Sequence, residues 1–278
     1  MSTVVITGAS GFVGRYLTAH LKQNGVNVIP VSRGAYPGVV QVDDYTQTPS
    51  GDVLIHLAEE PDRAKVNMLD DEAFSKASNL VKHFSGRAGQ KIIYASSAVV
   101  YGNSNEQPCK VDMPVHPVDK YSELKLVNEK IVLESGGVVI RLSNLFGVGM
   151  AGSNVISDIL KQIPGSNPIK IRDDQPVCDF LHVSDAVAAL GLLIESGYSG
   201  ILNVGSGIGT SIRTLAEILL SAANQEDRVI MSTQPSHKKS INVLDISETV
   251  RILGWHTKFT LNERLEQLLH IGLKTKND

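Results

Sequence analysis

The sequence has few cysteines, no long apolar run and no excess of basic charge. Its two cysteines, Cys109 and Cys178, are too far apart in the chain for a metal-type spacing. The apolar runs are broken well before the length that spans a membrane. With 26 basic and 29 acidic residues, and the basic ones scattered, we expect neither nucleic acid nor a membrane surface as the main partner. These absences predict a soluble, cytoplasmic protein without a metal site.

The most informative stretch is a glycine-rich turn near the start of the chain. A β-branched run at residues 3–7 is followed by glycines spaced three apart and then by an amphipathic helix pattern. This order is typical of a dinucleotide site, in which the helix N-terminus faces a pyrophosphate. A glycine-rich turn alone can be purely structural, but its place between strand and helix favours binding. Because the turn begins at Gly8, we expect no signal peptide. The predicted cofactor contacts here are Gly8, Ser10, Gly11, Phe12, Val13 and Gly14.

The end of the second predicted strand bears on which dinucleotide binds. Residues 26–31 read as a strand parallel to the first, and Ser32 and Arg33 follow it. Sites for NAD carry an acidic residue near this position to bind the ribose 2′-hydroxyl, and here it is missing. A hydroxyl and a guanidinium suit a 2′-phosphate, so NADP(H) is favoured and NAD(H) stays possible. The alternative is that Arg33 is an exposed loop residue that binds no ligand. Farther on, Asp43 or Asp44 could bind the adenine amino group or cap a turn, and Asp43 is the predicted contact.

Two later strands end in residues that suit a cofactor cleft. Residues 52–58 and 91–97 read as buried parallel strands, and the carboxyl ends of such strands face the ligand crevice. Small Ala58 permits close approach of the cofactor, whereas His56 is better explained as a packed histidine than as a catalyst. The residues at the two ends are Leu57, Ala58, Ser96 and Ser97.

A tyrosine and a lysine four residues apart complete the predicted site. Residues 118–135 read as a helix, and Tyr121 and Lys125 lie on one face of it. A tyrosine hydroxyl, with a pKa of about 10, is a poor base near pH 7 unless a nearby ammonium and a nicotinamide charge favour the phenolate. Ser97 could then hold a substrate oxygen while Tyr121 moves its proton and a hydride passes to or from the ring. The pair also occurs by chance on solvated helices, and its order after the glycine turn and the Ser-Ser strand makes it specific.

These motifs together resemble the extended short-chain dehydrogenase/reductase superfamily, in particular its NAD-dependent epimerase/dehydratase branch that acts on nucleotide sugars. The resemblance implies that Ser97 polarises the substrate carbonyl or hydroxyl, Tyr121 is the acid/base and Lys125 binds the nicotinamide ribose. It also implies that Asn144 is a substrate-cleft residue. The matching segments are residues 7–14, 56–58, 96–102, 121–125, 141–147, 179–185, 203–207 and 253–255.

Several positions depart from that family. Residues 98–100 are Ala-Val-Val where its dehydratases carry an acidic pair, so elimination of water lacks its acid and base. Cys109 lies in the wrong place for the acid/base of epimerases that invert through an enolate. Cys178 replaces the arginine that contacts the nucleotide diphosphate. The residues that could compensate, each also explained as a surface residue, are Arg172, His237, Lys238 and Lys239, and Arg172 is the predicted substrate contact.

The sequence therefore predicts an α/β fold, a Rossmann-type doubly wound parallel sheet with a small discontinuous C-terminal substrate-binding domain. The dinucleotide-binding domain is predicted at residues 1–146, completed by 182–204, and the substrate-binding domain at 147–181 and 205–278.

The predicted activity is hydride transfer at C4 of a nucleotide sugar by an NADPH-dependent 4-ketoreductase. The alternatives are a 4-epimerase that retains NAD and, less favoured, a non-catalytic redox sensor. We also expect a homodimer in which helices at 63–84 and 118–135 pack against their symmetry mates. The apolar positions that suggest this are Val66, Leu69, Leu124 and Val127.

Overall fold

The centre of the computed structural model, which describes residues 2–236 and 240–274, is a seven-stranded parallel sheet. The strands of the chain are β1 (Thr3–Thr7), β2 (Asn27–Ser32), β3 (Val40–Gln41), β4 (Val53–His56), β5 (Lys91–Ser97), β6 (Val138–Leu142), β7 (Asn144–Phe146), β8 (Ile169–Ile171), β9 (Val177–His182), β10 (Gly200–Val204), β11 (Gly209–Ser211), β12 (Ile230–Ser232) and β13 (Ile241–Asn242). The order in the large sheet is β10-β6-β5-β4-β1-β2-β3, and every neighbouring pair is parallel. This confirms the predicted Rossmann-type sheet.

Helices cover both faces of this sheet. The ones that do so are α1 (Phe12–Gln23), α3 (Asp71–Ser85), α4 (Lys120–Glu134) and α6 (Val183–Glu195). The other helices of the described residues are α2 (Arg63–Asn67), α5 (Val155–Gln162), α7 (Ile212–Ala222), α8 (Ser247–Leu253) and α9 (Leu261–Lys274). Successive residues of a strand point to opposite faces. Ile6 of β1 accordingly packs with Leu17 of α1, in a core that α6 shares, whereas Val5 packs with Phe84 of α3 and Val132 of α4. No helix in the described ranges is long and apolar enough to cross a membrane.

The chain beyond β6 builds two smaller sheets beside the large one. Strand β9 pairs with β7, β11 and β13, and β8 pairs with β12. Helices α5, α7 and α9 form their own core around Ile159, Leu215 and Leu265. In contrast, α6 packs on α1 and β10 extends the large sheet. The interrupted order suits a discontinuous substrate-binding part, although the exact domain boundaries stay a prediction.

Two predicted helices differ from the structure at their ends. The helix expected at 63–84 is two helices, α2 and α3, because the Asp70 carboxylate accepts from the Ala73 amide (2.8 Å) and starts a new helix. The helix expected at 118–135 is α4, which starts at Lys120. The residue before it, Asp119, caps its N-terminus through its side chain. Its carboxylate accepts from the Ser122 amide (3.0 Å), and the Ser122 hydroxyl lies 3.2 Å from the Asp119 amide.

Candidate active site

A cleft of about 820 Å³ opens at the carboxyl ends of the central strands. The predicted residues that line it are Gly8, Ser10, Gly11, Phe12, Val13, Gly14, Arg33, Leu57, Ala58, Ser97, Tyr121, Lys125 and Asn144. Ser32, Asp43 and Arg172 are not among the lining residues. The fold thus gathers the glycine turn, the ends of β4 and β5, and the Tyr-Lys helix at one site.

The glycine turn has the form that a dinucleotide pyrophosphate requires. Gly8 has a φ of +72°, and a Cβ atom there would lie 2.8 Å from the Leu57 carbonyl oxygen. A Cβ atom on Gly14 would lie 2.2 Å from the Gly8 carbonyl oxygen, so only glycine allows α1 to approach this closely. The N-cap residue of α1 is Gly11, which has no side chain to cap the helix, and the first turn of α1 has no acidic residue. Its first amide groups are therefore free of a side-chain cap and suited to an anion.

The end of β2 carries one exposed cation and one buried hydroxyl. The Arg33 guanidinium lies 5.6 Å from the ring centroid of Tyr45, which also lines the cleft. Ser32 is buried, and its Oγ lies 2.6 Å from Ser10 Oγ. Asp44 caps a 3₁₀ turn by accepting from the Thr46 amide (2.8 Å), as one of the two sequence-based alternatives expected. The adenine contact at Asp43 stays a prediction.

The proposed catalytic side chains come from β5 and α4. Ser97 lines the cleft and accepts a long hydrogen bond from the Val99 amide (3.4 Å), whereas Ser96 donates to the buried Glu129 carboxylate. Ser97 is therefore the serine that remains available to a ligand. The ammonium of Lys125 lies 5.6 Å from the Tyr121 ring centroid, as expected for residues four apart on a helix.

Sequence reasoning missed a largely buried carboxylate, Glu59, that contacts Lys125. It lies three residues beyond the end of β4 and forms an ion pair with Lys125. It also accepts hydrogen bonds from Tyr94 Oη (2.9 Å to Oε1) and Asn128 Nδ2 (2.8 Å to Oε1). Burial by itself would raise the pKa of Glu59, but the Lys125 ammonium and the hydrogen bonds that the carboxylate accepts together outweigh burial, so the pKa is lowered. Its position next to Ala58, at a strand end that faces the crevice, was the available signal.

Of the other residues singled out from the sequence, His56 lines the cleft as a packed side chain, whereas Cys178 and Arg172 do not line it. His56 is buried beside Thr7, with Nδ1 2.7 Å from Thr7 Oγ1, and burial lowers the pKa of His56 to about 4, which fits the packed-histidine interpretation. Burial raises the pKa of the Cys178 thiol to about 11, so this side chain supplies no charge near neutral pH. Arg172 is exposed and donates to Gln234 Oε1 (3.2 Å). His237, Lys238 and Lys239 lie outside the described residues.

Comparison with known proteins decides the family. The model of the NAD dependent epimerase/dehydratase family matches residues 4–205. The chain belongs to this family. It is 25% identical to a dTDP-4-dehydro-6-deoxyglucose reductase of Escherichia coli, with 96% of each chain covered. It is also 24% identical to a UDP-glucose 4-epimerase of Azospirillum brasilense. That alignment covers 97% of this chain and 90% of the epimerase.

Among solved structures, the chain is similar to RMD from Pseudomonas aeruginosa complexed with NADPH. The identity is 26% and the TM-score 0.85, over 97% of this chain and 98% of that one. Membership of the family, with the cleft described above, makes the protein a short-chain dehydrogenase/reductase-type enzyme for NAD(P)-dependent modification of sugars. The residues present fit that cofactor, because the glycine turn leaves room for a pyrophosphate and the amide groups of α1 face it without a competing side chain.

Proposed function

We propose that the protein is an NADPH-dependent 4-ketoreductase of a nucleotide sugar. The observation that carries this proposal is Arg33, an exposed guanidinium that lines the cleft at the end of β2, where an NAD site has an acidic residue. A guanidinium binds a 2′-phosphate with two parallel, charge-assisted hydrogen bonds. A reductase binds fresh reduced cofactor at each turnover. A residue that binds the 2′-phosphate and so selects NADPH is consistent with that reaction. The relationship to a reductase and to an NADPH-bound neighbour adds support.

The roles of the chain's own residues follow from their positions in the cleft. When bound, NADPH supplies the hydride that adds to the ketone carbon. Ser97 donates a hydrogen bond to the ketone oxygen. As the C=O π electrons move onto that oxygen, it takes the proton of Tyr121 and becomes the hydroxyl of the product. Lys125 holds the nicotinamide ribose, and Asn144, whose amide donates to the Asp179 carbonyl oxygen (3.1 Å), borders the sugar. The ketone is reduced, and the phenolate regains a proton from solvent.

A nucleotide-sugar dehydratase fits the cleft less well. Ala98 and Val100, which follow the catalytic serine, are buried apolar residues and provide neither acid nor base for elimination. A non-catalytic redox sensor is also disfavoured, because Ser97, Tyr121 and Lys125 all line one cleft.

The direct test is to identify what the protein binds and what it reduces. Mass spectrometry of ligands released from the purified protein reports which dinucleotide is retained. A panel of nucleotide 4-keto-6-deoxy sugars is then incubated with NADPH, and the fall in absorbance at the reduced nicotinamide band is followed. We expect loss of NADPH with formation of the 4-hydroxy sugar. Turnover of a 4-hydroxy sugar to its epimer without net cofactor use would contradict the proposal.

The second candidate is a 4-epimerase that retains NAD. The buried contact of Ser32 with Ser10 favours it, because this hydroxyl is engaged within the protein and leaves Arg33 to bind a phosphate alone. Copurified NAD, retained through gel filtration, is the outcome expected for an epimerase. A readily exchanged cofactor is the outcome expected for the reductase.

We also propose that the protein forms a homodimer through α3 and α4, in the cytoplasm. Val127 on α4 and Met68, which precedes α3, are exposed and apolar. Val66 and Leu124, two of the positions that suggested the dimer, are buried within the chain, and Leu69 is half-buried. Of the positions that suggested the dimer, Val127 is therefore the one that remains exposed, and Met68 adds a second exposed apolar side chain.

A further inference from the structure

The ammonium of Lys125 is held on the protein side by two acceptors. It forms the ion pair with Glu59 and donates to the Ala95 carbonyl oxygen (2.8 Å). An ammonium group has three N–H donors, so one remains for a ligand in the cleft. The side chain of Lys125 is 9% exposed and that of Glu59 15% exposed, so the pair is largely shielded from solvent.

Glu59 is in turn fixed by its own neighbours. The phenol of Tyr94 lies within hydrogen-bonding distance of both carboxylate oxygens (2.9 and 3.0 Å), and the Asn128 amide donates to Oε1 (2.8 Å). Burial and the Glu59 carboxylate both raise the pKa of Tyr94, which stays a neutral donor. Because β5 contributes Tyr94 and α4 contributes Asn128, the fold holds the Glu59 carboxylate against the ammonium.

Among the described residues, the other titratable side chains that line the cavities at the pair include a neutral histidine and an exposed carboxylate. From β4, buried His56 is neutral at pH 7, since burial lowers its pKa to about 4. From α3, the small cavity beneath the pair is lined by the uncharged Ala77 and Leu80. Glu60 at the cleft mouth is exposed. Burial by itself would lower the pKa of Lys125, but the Glu59 carboxylate raises it well above its usual value, so Lys125 stays charged.

We propose that Glu59 is a positioning residue that fixes the Lys125 ammonium and offsets its charge, so that Tyr121 keeps its proton for reduction. A lone ammonium beside the tyrosine would favour the phenolate, which suits oxidation. A carboxylate in contact with that ammonium reduces the positive potential at the phenol. A ketoreductase needs Tyr121 protonated when the hydride is transferred. The need for a protonated Tyr121 rests on the proposed function. The effect of Glu59 on the charge near Tyr121 rests on its contact with Lys125.

The test follows the tyrosine directly and needs no substrate. Protein labelled with carbon-13 at the tyrosine ring Cζ is titrated in the presence of saturating NADP⁺, and Tyr121→Phe identifies the resonance of Tyr121. Glu59→Gln removes the charge and keeps the size of the side chain. We expect the titration midpoint of that resonance to move to lower pH by about one unit, the scale of a single neighbouring charge. A midpoint that stays in place or moves to higher pH overturns the proposal.

Three further variants separate charge from structure. Glu59→Ala removes the charge by a different route and must move the midpoint in the same direction, which keeps the test valid where Glu59→Gln folds poorly. Glu59→Asp retains the charge and must move it less. Tyr94→Phe removes a hydrogen-bonding partner of Glu59 without removing charge, so a midpoint shift equal to that of Glu59→Gln would indicate a merely structural role. Because no turnover is measured, a wrong substrate assignment leaves these outcomes unaffected.

Discussion

The side-chain hydroxyls of Ser10 and Ser32 lie 2.6 Å apart and tie the glycine turn to the end of β2. Ser32 also accepts a hydrogen bond from the Gly34 amide (3.2 Å) and is buried. Its hydroxyl is thus engaged within the protein, while neighbouring Arg33 is exposed in the cleft. We therefore expect recognition of a phosphate on the adenosine ribose to depend on Arg33 more than on Ser32. The sequence alone suggested that both would contact it.

Replacement of Arg33 tests the preference for NADP(H). A charge-assisted hydrogen bond is worth about 1.5–3 kcal/mol, so Arg33→Ala should weaken NADPH binding by roughly tenfold to a hundredfold. Binding of NADH should change little, and Arg33→Lys should fall between, because it keeps the charge without the two-pronged geometry. Since the guanidinium is exposed, the preference should decrease with added salt. Titration calorimetry measures the affinity of each variant for NADPH and NADH. If Arg33→Ala weakened both affinities equally, Arg33 would not be selective for the 2′-phosphate.

Replacement of Ser32 by aspartate should reverse the preference. A carboxylate at the end of β2 repels the 2′-phosphate and accepts hydrogen bonds from ribose hydroxyls. Because Ser32 is buried against Ser10, we also expect a lower melting temperature, since a carboxylate in that site loses hydration. Ser32→Ala is the matched control, expected to keep the order of the two affinities. Fluorescence titration with NADH and NADPH gives the ratio of the two affinities. An unchanged ratio in Ser32→Asp would contradict the predicted reversal.

Local patterns in the sequence were enough to find most of the cleft. The glycine spacing, the Ser-Ser strand end and the Tyr121 to Lys125 interval are each encoded within a few residues. Glu59 was missed because its role depends on β4, β5 and α4 lying side by side, which no local pattern reveals. The helix break before Asp70 was missed for a different reason. The helical periodicity is continuous there, and a single cap decides where the new helix begins.

Loss of the Tyr121 hydroxyl should abolish turnover and leave cofactor binding nearly intact. In Tyr121→Phe the ring still packs beside Lys125, but no proton can be transferred to the substrate oxygen. A lost general acid lowers the rate by about 10²- to 10⁴-fold. Tyr198→Phe is the control, because its hydroxyl donates to the Ile201 carbonyl oxygen (3.0 Å) and does not line the cleft. Steady-state kinetics with the substrate found in the panel measures the loss, and substantial activity in Tyr121→Phe would refute the role.

The homodimer proposal makes a prediction for the exposed face of α4. Val127 is 41% exposed, and burial of such a side chain in an interface is incompatible with an added charge. Multi-angle light scattering at micromolar concentration should give twice the chain mass for the wild type and a lower mass for Val127→Glu. Val229→Glu, at another exposed valine, should leave the mass unchanged. A monomer mass for the wild type would contradict the dimer.

The cap residue of α4 should stabilise the protein in a pH-dependent way. Partial burial by itself would raise the pKa of Asp119, but hydrogen bonds from Ser122, Arg63 and Asn67 outweigh it and lower the pKa to about 2. An unfolded aspartate has a pKa of about 3.9, so the unfolded state takes up the proton first as the pH falls. The stabilisation from the charge is therefore fully present above about pH 4 and is lost as the pH falls towards 2.

Two variants separate the charge of Asp119 from its capping function. Asp119→Ala removes both and should lower the free energy of unfolding by about 0.5–2 kcal/mol at pH 7. Asp119→Asn keeps the cap and loses the ion pair with Arg63, so its loss should be smaller. Urea unfolding between pH 7 and pH 3 measures these differences. The difference in the free energy of unfolding between the wild type and Asp119→Asn should decrease as the pH falls. A difference that increases would show that the carboxylate does not stabilise α4 through its charge.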